Sequence, residues 1–551
     1  MTSRPMGTAA TVDVGDDLPL TMAGLLRARA EEHGSAPFVV TDDEVLTYAD
    51  AEARSELLAR ALLAAGVGRG THVGLLAPNG PEFVVAWLAA IRIGAVAIPL
   101  STFSTPHELA GLLAGADVEV LVSVRSYRSH RYEEKLHDAI PGFDPARPAP
   151  LLAPAVPTLR HIWFLDAAET THRSWTVDHL LAGATLIDDD VLRAAEVAVS
   201  PADRMVIVHT SGSTSEPKGV IHTHGALIRH QDNLNRIRRY TPDEILFSNS
   251  PFFWIGGLAY ALLATLVAGG RLVCSNAADA AGVLDLLERE HPTMVNGFAQ
   301  SVAHLRDDPT FATRDLSSIR RGNLWPIMPS DVVPADVELR HSMLGMTETG
   351  SVCLVSEDES DLPEAQRGSY GRPAPGFDAQ IVDLDTGGLC PVGTVGELWL
   401  RGPFLMEGYY GRERADTFTP DGWYRTRDLV VSDADGLFYF TGRSGDMIKT
   451  SGANVSPREV EAAIRSVADL ESHVLGITDA DRGQIVTAVL VIPDGRTFDA
   501  DSVENLRSAL ASRLSAYKVP RRFVPMAKSD VPMMSSGKLD VRALRTALAH
   551  D

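Results

Sequence analysis

The sequence predicts an α/β protein with more than one domain, and three observations lead to this prediction. Its 551 residues exceed what a single hydrophobic core usually serves. Short apolar segments typical of buried strands alternate with longer segments that begin and end as helices do. The C-terminal part carries its own strand and amphipathic helices, which indicates a second, smaller unit.

The first strand and helix are predicted near the N-terminus. Residues 71–80, THVGLLAPNG, form a short apolar run that a Pro-Asn-Gly turn ends. Residues 81–94, PEFVVAWLAAIRIG, open with a proline and close with a glycine, the order typical of helix ends. This part of the chain is therefore expected to fold as strand, turn and helix.

Further strands are predicted on both sides of residues 209–220, HTSGSTSEPKGV. A buried strand precedes them in ADRMVIVHT (202–210), and a strand followed by a helix is predicted in GVIHTHGALIRHQDNL (219–234). GGRLVCS (269–275) predicts one more strand. The proline-rich segment Pro141–Pro157 is expected to be a surface loop.

The C-terminal part predicts a compact α+β module. Ser456, Pro457 and Glu459 form a capping box with proline at the first helical position. One face of that helix is apolar, with Val460, Ile464 and Val467. Residues 484–493, QIVTAVLVIP, predict a strand. A second apolar helix stripe comprises Val503, Leu506, Leu510 and Leu514.

Composition excludes several classes of protein. Fifty basic and 72 acidic residues give a net charge of -22, which disfavours nucleic acid or an anionic membrane as the main partner. The apolar runs Phe83–Leu100 and Leu258–Ala268 are not expected to span a membrane, and the N-terminus lacks the apolar core of a signal peptide. The widely spaced Cys274, Cys353 and Cys390 fit a reducing cytoplasm. A cytoplasmic protein is predicted.

The segment HTSGSTSEPKGV has the composition of a phosphate-binding loop. Its hydroxyls, its backbone N–H groups and Lys218 could together solvate a polyanion. It is not a nucleotide-binding P-loop, because Pro217 stands where the second glycine belongs and Gly219 follows the lysine. A polar surface turn would have a similar composition, so both interpretations stay open on this segment alone.

Other segments add candidate functional groups. GMTETG (345–350) sets the hydroxyl of Thr347 and the carboxylate of Glu348 between two glycines, a way to reach a phosphate and a magnesium ion. In DGWYRTRDLV, Asp428 could bind the hydroxyls of a ribose. MSSGKLD contains Lys538. Taken singly, these segments are equally typical of turns and solvated loops. His222 and His224 could share one strand face, but without a third ligand they favour packing over metal binding.

Together and in this order, these segments resemble the AMP-forming adenylating superfamily of acyl-CoA synthetases, adenylation domains and luciferases. The resemblance covers nearly the whole chain, from LTYADAEARSELLARALLAAGVGRGTHVGLLAPNG and IGAVAIPL through GELWLRGPFLMEGYYGRERADTF to SSGKLD. It implies a large N-terminal domain, residues 1–444, of stacked α/β subdomains with a β-barrel-like part. It also implies a small mobile domain, residues 445–551, that rotates about a hinge at Gly445.

The resemblance also implies roles for individual residues. The β- and γ-phosphates of ATP would be bound by Thr210, Ser211, Gly212, Ser213, Thr214 and Lys218. Thr347 would meet the α-phosphate, and Glu348 with Thr214 the magnesium ion. Asp428 and Arg443 would bind the ribose, and Asn323, Leu344 and Gly345 would lie at the nucleotide. Lys538 would bridge the α-phosphate and the substrate carboxylate. The acid would be bound by Phe253, Trp254, Gly257, Trp325 and Met343.

The chain departs from the family pattern at several of these positions. Trp254 stands where many acyl-CoA synthetases have a histidine, and Leu344 replaces an aromatic residue. Ser215 and Arg427 each stand where glycine is common. Around Trp254, Trp325 and Leu344, the adenine and acid walls are therefore expected to be unusual. Gly445 at the hinge eases a backbone change.

The resemblance implies a ligase that uses ATP and Mg²⁺ to convert a carboxylic acid into an acyl-adenylate, releases pyrophosphate and transfers the acyl group to CoA. The alternative is an adenylate-forming enzyme with another acceptor, either a carrier-protein thiol or an amine that reacts with adenylated nitrite. A nucleotide-binding protein without catalysis is disfavoured because Glu348, Asp428 and Lys538 are present. The expected partners are a small acid and the acceptor, and a homodimer is an open alternative to a monomer.

Overall fold

The computed structural model describes residues 18–166, 171–210, 217–443, 448–450, 453–455, 457–479, 483–493, 498–514, 516, 518–534 and 539–549. Two mostly parallel sheets form its first part. The six-stranded sheet has the order Arg321–Gly322, Met294–Asn296, Ile245–Ser248, Arg271–Val273, Pro37–Val40 and Val45–Thr47. The seven-stranded sheet has the order Gly408–Tyr409, Lys218–Thr223, Arg204–Thr210, Val96–Pro99, His72–Leu76, Val120–Ser123 and His161–Phe164.

Helices cover these sheets. The α-helices before residue 400 are Met22–His33, Tyr48–Ala64, Pro81–Arg92, Pro106–Gly115, Tyr132–Ala139, Val177–Leu181, Asp189–Val197, His224–Arg238, Ile255–Gly257, Ala264–Ala268, Ala280–Glu290 and Ala299–Val302, and a π-helix covers Leu258–Leu263. The strand predicted within residues 71–80 is His72–Leu76, which is buried at every position. The predicted helix is Pro81–Arg92, with its proline in the first turn. Both predictions are confirmed.

Two antiparallel sheets make up the barrel-like part. One has the order Leu344–Met346, Ser351–Val355 and Arg372–Pro373, and the other Asp378–Val382, Gly396–Arg401, Tyr424–Ser432 and Phe438–Arg443. Backbone hydrogen bonds from the Tyr370 N–H to the Phe438 oxygen and from the Phe438 N–H to the Gly371 oxygen join them. Their inward side chains share one apolar core, which includes Leu354, Leu400 and Val430. The α/β class and the barrel-like part agree with the expectation.

The C-terminal part has its own sheet and core. Strands Ala453–Val455, Ile448–Thr450, Gly483–Ile492 and Ser472–Asp479 are neighbours in this order, and Arg522–Ala527 pairs with Gly483–Ile492 in parallel. The helices are Pro457–Ala468, Ala500–Ala511 and Val541–Ala549. Val460, Ile464, Leu506 and Leu510 of the predicted stripes are buried together. Ser456 and Gly445 lie outside the described residues, so the capping box and the domain boundary stay predictions.

Three smaller predictions have clear outcomes. The segment Pro141–Pro157 has no regular secondary structure, but three of its own side chains, Phe143, Leu151 and Val156, are buried in the core. It is therefore an anchored loop, not merely a surface loop. Cys274 and Cys353 are buried and Cys390 is half-buried, all as free thiols. Among the residues that the structure describes, no helix combines the length and apolar character needed to cross a membrane.

Candidate active site

The centre of the candidate site is an antiparallel hairpin next to the edge strand Gly408–Tyr409 of the seven-stranded sheet. Strands Arg204–Thr210 and Lys218–Thr223 pair so that Thr210 lies opposite Lys218. The two strands therefore hold the ends of the predicted phosphate loop side by side. The loop itself, with Ser211, Gly212, Ser213 and Thr214, lies outside the described residues, and its role stays a prediction.

Tyr409 connects this hairpin to the predicted metal-binding carboxylate. Its strand, Gly408–Tyr409, pairs with Val220 and Ile221 of the hairpin. The Lys218 Nζ lies 4.9 Å from the centre of the Tyr409 ring. The Tyr409 hydroxyl donates a 2.7 Å hydrogen bond to Glu348 Oε1. Lys218 and Glu348 are thus brought to two sides of one aromatic ring.

The electrostatics of this group follow from burial and from the surrounding charges. Burial lowers the pKa of Lys218, the positive charges of Arg412 and Arg427 lower it further, and Glu348 raises it. Burial raises the pKa of Tyr409, with a further contribution from Glu348. The Tyr409 phenol therefore stays protonated and available as a donor at neutral pH.

A tight turn carries Thr347 and Glu348. Strands Leu344–Met346 and Ser351–Val355 flank a 3₁₀ turn at Thr347–Thr349, and Gly350 has a φ of +65°. Gly345, predicted to lie at the nucleotide, is part of the strand Leu344–Met346 before the turn. A Cβ atom at this position would lie 2.7 Å from the Ser351 carbonyl oxygen. The backbone N–H of Met406 donates to the Glu348 carbonyl oxygen. These backbone contacts help to hold the turn in place.

Three buried side chains donate hydrogen bonds to three carbonyl groups between Thr347 and Val352. His222 Nε2 lies 2.6 Å from the Thr347 oxygen, and Gln231 Nε2 lies 3.2 Å from the Gly350 oxygen. His230 Nε2 lies 2.9 Å from the Val352 oxygen. We call His222, Gln231 and His230 the carbonyl clamp. Sequence reasoning missed this clamp, because its partners lie more than a hundred residues away along the chain.

The clamp histidines are neutral. A carbonyl oxygen only accepts, so the Nε2 atoms of His222 and His230 carry the hydrogen. Burial lowers the pKa of His222 to about 4 and that of His230 to about 3. His224 is buried as well, and its Nδ1 accepts from the Met22 N–H. Within the described ranges, no group of three His, Cys, Asp or Glu side chains could hold a metal ion. The burial and hydrogen bonds of His222 and His224 agree with the packing role predicted for them.

The predicted ribose residue Asp428 lies next to a buried bulge. Asp428 is 1% exposed, and it is opposite Arg443 in the pairing of Tyr424–Ser432 with Phe438–Arg443. The side chain of Arg443 lies outside the description. Arg427, one residue earlier, has a φ of +64°, and its N–H donates to Glu397 Oε1 at 2.8 Å. This left-handed conformation favours glycine.

Aromatic rings surround the predicted acid-binding residue Trp254. Its ring centre lies 5.2 Å from that of Phe253, 5.4 Å from that of Phe298 and 6.4 Å from that of Phe103. All three contacts are edge-to-face. We call Phe103, Phe253, Trp254 and Phe298 the aromatic cluster. Sequence reasoning found Phe253 and Trp254 but missed Phe103 and Phe298, which follow strands of two different sheets.

The loop that carries Phe298 is held by two asparagines. The Asn323 side chain bonds to both the N–H and the oxygen of Gly297, each at 3.0 Å. Asn249 does the same for Phe298, at 2.9 and 3.0 Å. The described contacts of Asn323 therefore position the aromatic cluster, while its predicted contact with the nucleotide stays a prediction.

The remaining predicted residues fall into two groups. Leu344, Met343 and Trp325 are half-buried; the first two pack against the barrel-like core, and Trp325 opens the 3₁₀ helix Trp325–Ile327. Gly257 is buried where a Cβ atom would lie 2.1 Å from the Pro251 oxygen, so close packing alone explains this glycine. Lys538 lies outside the described residues.

The structure thus joins the hairpin to the Thr347–Glu348 turn through His222 and Tyr409, and it contains a separate aromatic cluster around Trp254. Residues 26–410 match the family model of the AMP-binding enzyme, and residues 459–538 match the AMP-binding enzyme C-terminal domain. The resemblance inferred from the sequence is confirmed by these matches.

Individual relatives match along nearly the whole chain. A feruloyl-CoA synthase of Amycolatopsis sp is 30% identical over 93% of this chain and 96% of its own. A sulfoacetate–CoA ligase of Cupriavidus necator is 28% identical over 94% of this chain and 96% of its own. The structure of the amide bond synthetase McbA from Marinactinospora thermotolerans matches with a TM-score of 0.75 and 26% identity, over 96% of this chain and 99% of that chain. The protein described here therefore belongs to the AMP-binding enzyme family.

Proposed function

We propose that this protein activates a carboxylic acid with ATP and transfers the acyl group to CoA. One observation carries the proposal. Glu348 sits on a turn fixed by the carbonyl clamp and is oriented by Tyr409, and Lys218 at the end of the predicted phosphate loop contacts the same ring. A carboxylate and a cation held around a phosphate loop suit the transfer of a nucleotidyl group.

The first step is adenylation. A carboxylate oxygen of the acid attacks the α-phosphorus of ATP, a new O–P bond forms, and the bond from the α-phosphorus to the bridging oxygen breaks. That oxygen leaves with the electron pair as part of pyrophosphate. Thr210, Ser211, Gly212, Ser213, Thr214 and Lys218 bind the phosphates, and Thr347 meets the α-phosphate. Asp428 and Arg443 bind the ribose, and Lys538 stabilises the charge that develops between acid and phosphate.

Magnesium fits the residues present. Mg²⁺ is usually held by one or two carboxylates together with substrate phosphates and water. Glu348 offers one such carboxylate, and Tyr409 fixes its Oε1. Glu348, with the hydroxyl of Thr214, would hold the ion, which offsets phosphate charge that otherwise repels an incoming carboxylate. The protein's own part is to orient that carboxylate and to keep the turn in place.

The second step is transfer to a thiol. The sulfur of CoA forms a bond to the acyl carbon, the bond from that carbon to the adenylate oxygen breaks, and AMP leaves while the thiol loses its proton. The two relatives named above are a feruloyl-CoA synthase and a sulfoacetate–CoA ligase, which supports CoA as the acceptor. The boundary at residues 444 and 445 and the rotation of the smaller domain belong to this proposal.

An amine acceptor is the second candidate. The structural similarity to an amide bond synthetase favours it, as does the unusual aromatic cluster. We place either enzyme in the cytoplasm, where ATP and CoA are available and free cysteines stay reduced. The homodimer stays a proposal that light scattering can test.

Pyrophosphate release separates these candidates. The purified protein receives Mg-ATP with each member of a panel of aliphatic acids, aryl acids and nitrite, with and without CoA and with and without an amine. Release that rises with CoA supports the ligase, and release that needs an amine or nitrite supports the alternative. Lys538→Ala is expected to abolish release. Lys528, an exposed lysine that opens the 3₁₀ helix Lys528–Asp530, provides the matched control Lys528→Ala. Full activity of Lys538→Ala would exclude the proposed role of this lysine.

A further inference from the structure

Arg427 occupies a backbone conformation that its side chain disfavours. Its φ of +64° lies in the left-handed region, where non-glycine residues are uncommon. The pairing between Gly396–Arg401 and Tyr424–Ser432 shifts register beside it. Glycine would meet no such penalty at this position.

A buried carboxylate holds Arg427 in this conformation. Glu397 is 6% exposed and accepts the Arg427 N–H at its Oε1, 2.8 Å away. Its Oε2 accepts the indole N–H of Trp399 at 2.9 Å. The neighbours Thr426 and Asp428 are both buried, whereas Arg427 is exposed. The bulge therefore presents the arginine at the surface directly beside the predicted ribose site.

Two tyrosines connect the strand of Arg427 to Lys218 and Arg412. The hydroxyl of Tyr424, three residues before Arg427, lies 3.3 Å from that of Tyr409. The Lys218 Nζ lies 4.9 Å and the Arg412 Cζ 6.0 Å from the centre of the Tyr409 ring. The charges of Arg412 and Arg427 both act on Lys218 and lower its pKa, after burial. Within the described ranges, none of these three cations forms a salt bridge with a carboxylate. Glu348 is the acid that acts on Lys218 in the opposite direction. Lys218, at the end of the phosphate loop, is therefore under the influence of two further cations.

We propose that Arg427, assisted by Arg412, binds the β- and γ-phosphates of ATP and the pyrophosphate that leaves. This inference rests on the proposed function. A strained arginine retained beside Lys218 is explained by what its side chain binds, and a guanidinium matches phosphate oxygens with two parallel hydrogen bonds. The diphosphate end fits the location, since Asp428 on the other side of the bulge is assigned to the ribose.

Calorimetric titration of the full-length protein tests this assignment. The ligands are Mg-ATP, Mg-pyrophosphate and AMP, and the variants are Arg427→Gly and Arg427→Asn, since asparagine also tolerates the left-handed region. Loss of a charge-assisted contact is expected to weaken ATP and pyrophosphate binding about tenfold. AMP, which lacks the diphosphate, is expected to bind unchanged. Glycine relieves the backbone strain, so the melting temperature of Arg427→Gly is expected to stay equal or rise.

Arg425→Ala is the matched control. Arg425 lies on the same strand, is exposed, and its guanidinium stacks 4.9 Å from the Trp399 ring centre. Its removal is expected to leave ATP binding unchanged. If the parent binds ATP and Arg427→Gly binds it equally well, the inference is overturned while the proposed function stands. Equal losses for AMP and ATP would overturn the diphosphate assignment. If the parent binds neither nucleotide, the proposed function itself fails.

Discussion

The Nε2 atom of His222 lies 2.6 Å from the carbonyl oxygen of Thr347. This contact ties the hairpin Arg204–Thr210/Lys218–Thr223 to the turn that carries Glu348. Because the next two clamp residues hold Gly350 and Val352 in the same way, the turn is fixed along its length. His222, which has no assigned contact to ATP, thus orients Thr347, assigned to the α-phosphate, and Glu348, assigned to the magnesium ion.

Replacement of His222 is expected to affect catalysis through this turn. His222→Phe removes one of the two donors to the Thr347 oxygen, the other being the Gly350 N–H, which costs about 0.5–1.5 kcal/mol of unfolding free energy. We expect kcat for pyrophosphate release to fall about tenfold or more, because Thr347 and Glu348 lose their alignment. Steady-state kinetics and denaturant unfolding measure the two effects.

The controls separate positioning from stability. His222→Gln keeps an N–H donor and is expected to recover part of the rate. His224→Gln removes an equally buried histidine whose bond is to Met22, so it is expected to lower stability with little effect on kcat. If both histidine replacements reduce the rate in proportion to stability, His222 has only a structural role.

The buried histidines predict acid sensitivity. Burial lowers the pKa of His222 and His224 to about 4 and that of His230 to about 3, against about 6.5 in an unfolded chain. Between about pH 6.5 and pH 4 the unfolded chain binds more protons, so the free energy of unfolding falls as the pH falls. Each histidine contributes about 1.4 kcal/mol per pH unit.

Denaturant unfolding at several pH values tests this prediction. His224→Gln is expected to make the unfolding free energy depend less steeply on pH, by the contribution of one histidine. An unfolding free energy that is the same at about pH 7 and about pH 5 would contradict the neutral, buried state of these rings.

Tyr409 is expected to control the affinity for magnesium. Tyr409→Phe removes the hydroxyl that donates to Glu348 Oε1, so the carboxylate is less well oriented. We expect the Mg²⁺ concentration for half-maximal pyrophosphate release to rise about five- to tenfold, the effect of one lost hydrogen bond to a charged group. Tyr424→Phe is the control, since the Tyr424 hydroxyl lies 3.3 Å from that of Tyr409 and has no described bond to Glu348. Equal responses of both variants would argue against the role of Tyr409.

The aromatic cluster is expected to limit the size of the acid. Trp254→Ala removes the ring that contacts Phe103, Phe253 and Phe298, and the space gained is expected to admit longer acids. We expect kcat/KM to shift about tenfold towards the longer acids in the panel. Trp254→Phe keeps an aromatic wall and is expected to retain the parent's preference. An unchanged preference in Trp254→Ala would place the acid elsewhere.

Local patterns predicted the strands and helices well. His72–Leu76 is a continuous apolar run before a turn, and Pro81–Arg92 has helix signals at both ends, so neighbouring residues suffice. The burial of side chains in the loop Pro141–Pro157 was harder to predict from the sequence, because the burial of Phe143 and Val156 depends on the core against which they pack.

Features built by distant residues could not be read from the sequence. The contact of His222 with Thr347 spans 125 positions, and the left-handed conformation of Arg427 depends on Glu397, thirty positions away. Individual motifs indicated Thr347, Glu348 and Asp428, but no local signal marks the residues that orient them. Tyr409 belongs to the segment GELWLRGPFLMEGYYGRERADTF, but only the fold brings it to Glu348.

The burial of two cysteines also makes the chain convenient for spectroscopy. Burial raises the pKa of Cys274 and Cys353 to about 12, so neither thiol ionises near neutral pH or is open to reagents. Cys390, half-buried in the turn between Asp378–Val382 and Gly396–Arg401, is the thiol left for a maleimide dye. One fluorophore on the barrel-like part, and a second on a cysteine introduced into helix Ala500–Ala511, would report the distance between the two parts of the chain during turnover.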